Sequence, residues 1–194
     1  MNMRNLVSCA ALLALGVSAL AMSPVPRNSP EFTIVEPSGK QTLLSSFKGK
    51  VVVIEFLLTN CPPCQRASQT ITRLHKELGP RGFQPVGIAL NPGVSGPMVT
   101  EYGRQFGATY PIGYSASKAV DSYLGRSVME NLRVPQIVVI DRMGVIRAQS
   151  LPKGESNLEN EKYLRNLIDS LLKESAPAGS AKKMTPTPEQ KSQP

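Results

Sequence analysis

The residues best equipped for covalent chemistry are two cysteines separated by two prolines, Cys61-Pro62-Pro63-Cys64. Thiols at this spacing can close a small disulfide, exchange it with another, or supply half of a zinc site. A zinc site needs two more ligands. The single histidine, His75, lies eleven positions beyond Cys64, roughly 16 Å along a helix axis. It therefore reads as a surface or boundary histidine, and no metal or cofactor is expected beyond the Cys61–Cys64 pair itself. A purely structural disulfide closing so short a loop adds little stability. Redox exchange is the reading the placement favours.

That placement comes from the flanking elements. Val51 to Leu58 is almost continuously apolar and rich in β-branched residues, the pattern of a strand buried on both faces. Beyond Cys64, Ala67, Ile71, Leu74 and Leu78 form one helical stripe that Gly79-Pro80 ends. The pair thus lies where a strand hands the chain to the start of a helix. Unpaired N–H groups and the helix dipole favour an anion there, so a thiol at that point is expected to ionise readily. Cys61, outside the helix, is the expected exposed attacker. Cys64, one turn in, is the expected buried partner that resolves the mixed disulfide. Pro62 and Pro63 fix φ and remove two backbone donors, so they must influence the redox potential.

Glu55 stands inside the apolar strand, where a carboxylate needs a partner or a function. Burial would raise its pKa and make it a proton acceptor for Cys64. The other reading is an edge-facing glutamate neutralised by a lysine.

The rest of the chain alternates in the same way. Phe32–Val35 and Gln41–Leu44 flank Pro37-Ser38-Gly39 and read as an N-terminal β-hairpin. Phe83 to Leu90 is a second buried strand. A helix is predicted from Pro97, burying Met98, Tyr102 and Phe106 and stopping at Gly107, with a shorter one over Lys118–Leu124. Val134 to Ile140 is a third apolar strand, and Val145 to Gln149 an antiparallel edge strand after the turn at Asp141-Arg142-Met143-Gly144. Ser156 and Glu159 form a capping box for a last helix carrying Leu164, Leu167, Ile168, Leu171 and Leu172. The succession predicts an α/β sandwich on a central mixed sheet flanked by helices.

The chain has 194 residues, 41% hydrophobic and 19% charged, enough for one domain with a sizeable core. Arg4 followed by the uncharged run Leu6–Met22, with Ala19-Leu20-Ala21 near its end, reads as a signal peptide over 1–21 cleaved after Ala21. An uncleaved anchor is the other reading, and the only membrane attachment expected. Leu6-Val7-Ser8-Cys9 resembles a lipoprotein box, but its cysteine precedes most of the apolar run, so lipidation is rejected. Export leaves Cys61 and Cys64 as the only cysteines, in an oxidising compartment. The folded domain is expected over 30–174, and 175–194 is compositionally a disordered tail. The formal net charge of +8 is spread without interleaved aromatics, which argues against a nucleic-acid platform.

With these features in view, Phe32 to Glu174 resembles an exported thioredoxin-fold protein of the TlpA/ResA-like redoxin family. The resemblance rests on the placement of Cys61 and Cys64, on Glu55 six residues before the first cysteine, and on Val134-Pro135 opening the third strand. It implies a thioredoxin-like fold and a cis Pro135 that faces the disulfide and orients substrate. It places Asn60, Pro62, Pro63 and Val134 at the substrate surface. The implied activity is thiol–disulfide exchange with proteins outside the cytoplasm, in the periplasm or on the outer face of the cytoplasmic membrane. The implied direction is reduction, fed by an upstream redox partner. The chain departs from the family pattern at Asn60, usually tryptophan, and at Gln136, usually threonine. It also has Ala67 where several cytochrome-maturation members carry an acid.

Two alternatives share the fold. Peroxiredoxins carry proline and threonine seven and three residues before the reactive cysteine, where Ile54 and Leu58 stand here. Sco-like copper chaperones use a three-residue cysteine spacing and a distant histidine, neither of which is present. Nucleotide-binding and nucleophile-elbow motifs are missing from the sequence.

Overall fold

The computed structural model describes residues 24–127, 129, 131–153 and 156–175. The expected signal segment 1–21 and, except for Ser175, the expected tail lie outside these. Eight strands form one sheet: β1 (Arg27–Asn28), β2 (Thr33–Val35), β3 (Gln41–Leu43), β4 (Val51–Leu57), β5 (Phe83–Ala89), β6 (Ile112–Tyr114), β7 (Gln136–Ile140) and β8 (Val145–Gln149). The helices are α1 (Pro62–Leu78), α2 (Gly96–Gln105), α3 (Ser117–Leu124) and α4 (Glu161–Lys173). The spatial order is β1-β8-β7-β4-β5-β6-β2-β3. Pairs β4–β5 and β5–β6 are parallel and all others antiparallel, which is the mixed sheet of a thioredoxin-like sandwich.

Strand β4 lies in the middle, with all seven residues buried. Side chains alternate across a strand, and the core divides accordingly. Val51, Val53 and Leu57 pack with Ile71, Leu74 and Leu78 of α1 and Leu164, Ile168 and Leu171 of α4. Val52, Ile54 and Phe56 face the other way, against Phe32, Ile34, Val120 and Tyr123. Pro85 sits inside β5, where a missing N–H would normally break a central ladder. It is tolerated because β6 first pairs with β5 at Gly87, so the side that Pro85 would serve has no strand beside it.

Four expectations are corrected. Strand β8 is not an edge, because β1 pairs outside it at Arg27↔Ile146 and Asn28↔Val145. Those two polar residues show no hydrophobic alternation; pairing with β8 places them, together with the Arg27 guanidinium, which donates to Tyr123 O at 3.3 Å and to Gln149 Oε1 at 2.6 Å. A further short strand, β6, was not anticipated; three residues carry no usable period. On α2 the buried face holds Val99 and Tyr102, whereas Met98 is 38% exposed and Phe106 half-buried. Positions three and four apart are both neighbours on a helix, so spacing alone does not choose Val99 over Met98. Finally, Ser156 caps a separate single turn over Asn157–Glu159, and Asn160 starts α4 by accepting from the Tyr163 N–H at 3.0 Å.

Candidate functional site

The site forms where β4 ends. From Leu58 to Asn60 the chain turns, with the Cys61 N–H donating to Leu58 O at 3.2 Å. Asn91, just past β5, supports this turn twice: its Oδ1 accepts from Thr59 N–H at 3.0 Å and its Nδ2 donates to Asn60 Oδ1 at 3.2 Å. Gln65 Nε2 donates to Thr59 O at 3.1 Å, tying the turn to α1. Cys61 is the N-cap of α1 in extended geometry, and its carbonyl accepts from the Gln65 N–H at 3.0 Å. Pro62 and Pro63 occupy the first two helical positions, where a missing N–H costs no intrahelical bond.

The two thiols are free and differ in exposure: Cys61 is half-buried and Cys64 fully buried. Burial drives the Cys64 thiol far above its ordinary pKa, and the neighbouring Cys61 and the charge of Glu55 push it the same way. Cys61 Sγ lies 3.9 Å from Val134 O, which brings the loop before β7 onto the sulfur. The Val134–Pro135 peptide bond is cis and Pro135 is buried. Asn60 and Pro62 are exposed, while Pro63 and Val134 are half-buried beside Cys61. Gln136 is buried and braces the loop, its Nε2 donating to Arg133 O at 2.6 Å and Leu151 O at 3.0 Å.

Glu55 is fully buried on the central strand, opposite Gly87 of β5 and Ile137 of β7, so it faces no sheet edge. Desolvation pushes its pKa up to about 8; the hydrogen bond from Ser68 works against this shift and the charge of Glu159 adds to it. Ser68 Oγ donates to Glu55 Oε2 at 2.7 Å and lies 2.8 Å from Tyr102 Oη. Tyr110 Oη donates to the Ser68 carbonyl at 3.4 Å. Sequence reasoning did not single out Ser68, Tyr110 or Asn91, and it treated Tyr102 only as core. For Ser68 a signal was available: it lies four residues after Cys64, on the same face of α1. For Asn91 only the turn signature Asn91-Pro92-Gly93 marks the spot.

His75 lies at the boundary, its Nδ1 2.9 Å from Thr109 Oγ1. Ala67 is buried under α1. Among the described residues no group of three or more His, Cys, Asp or Glu side chains could hold a metal ion, and no helix is long and apolar enough to cross a membrane. A half-buried thiol at a helix start with a buried thiol one turn inside it is an arrangement suited to disulfide exchange.

Comparison with known proteins agrees with that chemistry. Residues 24–167 match the Redoxin family. The thiol-disulfide oxidoreductase ResA of Bacillus thuringiensis subsp. konkukian is 26% identical over 147 residues, covering 74% of this chain and 78% of that protein. Its namesake from Geobacillus thermodenitrificans is 25% identical over 152 residues, covering 75% and 83%. Among solved structures, a thiol:disulfide interchange protein of the thioredoxin family from Chlorobium tepidum aligns with a TM-score of 0.60 at 26% identity, covering 77% of this chain and 99% of that one.

Proposed function

The chain belongs to the Redoxin family, of the TlpA/ResA-like kind, and is a thiol–disulfide oxidoreductase; from that footing we propose that it reduces protein disulfides outside the cytoplasm. Cys61 attacks a substrate disulfide: a Cys61–substrate bond forms, the substrate S–S bond breaks, and one substrate thiolate leaves. Cys64 then gives its proton to the ionised form of Glu55, whose share grows as pH rises toward 8, and attacks Cys61 Sγ. The second substrate thiolate departs and takes a proton from solvent. The substrate has gained two electrons and the protein holds a Cys61–Cys64 disulfide, which an upstream dithiol partner reduces again. Val134, Pro135 and the rim formed by exposed Asn60 and Pro62 and half-buried Pro63 receive the substrate backbone.

The observation that carries this reading is the asymmetry of the pair: one sulfur is half-buried at the helix start, and the other is fully buried one turn inside, within range of the charge of Glu55. The reducing direction is supported by the family resemblance. Export is supported by the apolar run Leu6–Met22 and its Ala19-Leu20-Ala21 end.

The test is insulin reduction by the purified protein with dithiothreitol. Wild type is expected to precipitate the insulin B chain and Cys61→Ala to be inert. Cys64→Ala should retain proteins covalently on Cys61. A Cys61→Ala variant as active as wild type would overturn the assignment. Thiol alkylation in cells reads the direction: a mostly reduced pair fits a reductase, a mostly oxidised one a disulfide donor.

A further inference from the structure

A line of hydroxyls runs from α2 to the buried carboxyl of β4. Ser68 has one hydroxyl proton, and that proton is donated to Glu55 Oε2. Tyr102 must then be the donor in its 2.8 Å contact with Ser68 Oγ. Both bonds thus point toward the carboxyl, an order that favours its charged form. Glu55 and Ser68 are fully buried and Tyr102 is 3% exposed, so bulk water does not compete for these bonds. The other oxygen, Glu55 Oε1, accepts no hydrogen bond among the described residues.

We infer that Ser68 and Tyr102 are positioning residues for the exchange: they hold Glu55 by Oε2 and leave Oε1 as the oxygen that trades a proton with Cys64. The inference rests on the proposed role of Glu55. In the step concerned, the Cys64 S–H bond breaks and its proton passes to Oε1. The Cys64 sulfur bonds to Cys61 Sγ, and the Cys61–substrate bond breaks with its electron pair leaving on the substrate sulfur. The titratable groups around Glu55 are Cys64 from α1, Tyr102 from α2, Tyr110 from the loop before β6 and Glu159 from the turn before α4. Its strand partners, Gly87 and Ile137, carry no charge. Of these groups Tyr102 is joined to the carboxyl, through Ser68, in one hydrogen-bonded line among the described residues. Through that line the α2 segment, inserted between β5 and β6, reaches the buried carboxyl.

The experiment is a pH titration of the reduced full chain with ¹³C-labelled glutamate side chains, the Glu55 signal being the one lost in Glu55→Gln. Ser68→Ala is expected to raise its midpoint by about one to two pH units, the worth of one charge-assisted hydrogen bond. Tyr102→Phe should shift it the same way but less, and Ser68→Thr should restore it. Reaction with a dithiobis(nitrobenzoate) probe supplies the second readout, because its second thiol equivalent is released when Cys64 closes the disulfide. That phase should be about tenfold slower in Ser68→Ala at pH 7. If Ser68→Ala does not fold, Tyr102→Phe decides alone. A lower melting temperature with an unmoved midpoint would mean mere packing and would overturn the inference. A second phase unchanged in Glu55→Gln sinks the Glu55 role itself. A phase slowed in Glu55→Gln but normal in Ser68→Ala and Tyr102→Phe sinks only the positioning role.

Discussion

Replacing Glu55 with glutamine should change the pH dependence of folding stability more than any other single substitution. The carboxyl ionises near 4.5 in an unfolded chain and at about 8 in the folded one, chiefly because burial strips its water. The folded protein therefore holds a proton that the unfolded chain has released. Its stabilising contribution is complete below pH 4.5 and is lost as pH rises to 8. Integrating the two titrations, the wild type loses about 4 kcal/mol between pH 5 and pH 9 on this group's account. Glutamine keeps the shape and can still accept from Ser68 Oγ, but it cannot ionise, so the variant lacks this loss. Urea unfolding of both proteins, held reduced so that the thiols match, measures the difference at each pH. The variant should be nearly equal to wild type at pH 5 and several kcal/mol more stable at pH 9. Parallel profiles, within about 1 kcal/mol of each other, would show that Glu55 is not desolvated as described, and its pairing with Cys64 would lose its physical basis.

Asn160→Ala should cost about 1 kcal/mol by removing the cap of α4, and Ser156→Ala less, because it releases only a single turn; urea midpoints of the two variants check this order. Gly96→Ala places a Cβ 2.3 Å from the Pro37 carbonyl, so strain of about 1–3 kcal/mol should outweigh the ~1 kcal/mol that alanine gains over glycine in a helix. A variant more stable than wild type would refute that contact. Mass analysis of the exported chain should find a new N-terminus at Met22, whereas an intact Met1 in a membrane pellet would identify an anchor.

Much of the architecture was readable because the strongest signals are local. An apolar run interrupted by a single acid, such as Val51–Leu57, needs cover on both faces, and the stripe from Ala67 to Leu78 can bury itself only as a helix. The position of Cys61 at the helix start follows from that junction, as does the depth of Cys64 one turn later. The two- and three-residue strands β1 and β6 are too short to leave such a trace. The choice between Met98 and Val99 on α2 depended on where the core beside β6 lay.

The linear chain alone determined the reactive pair, the junction that presents it and the misfit acid inside the strand, since each is a matter of residue type and spacing over a few turns. Folding decided which groups surround that acid and which brace the turn before Cys61. Ser68, Tyr102 and Asn91 come from three separate stretches, and ordinary polar side chains of this kind acquire a role only when sheet order and helix packing bring them within hydrogen-bonding range. The raised pKa of Glu55 belongs to the same class: it arises from the water excluded by layers that no local stretch of sequence contains.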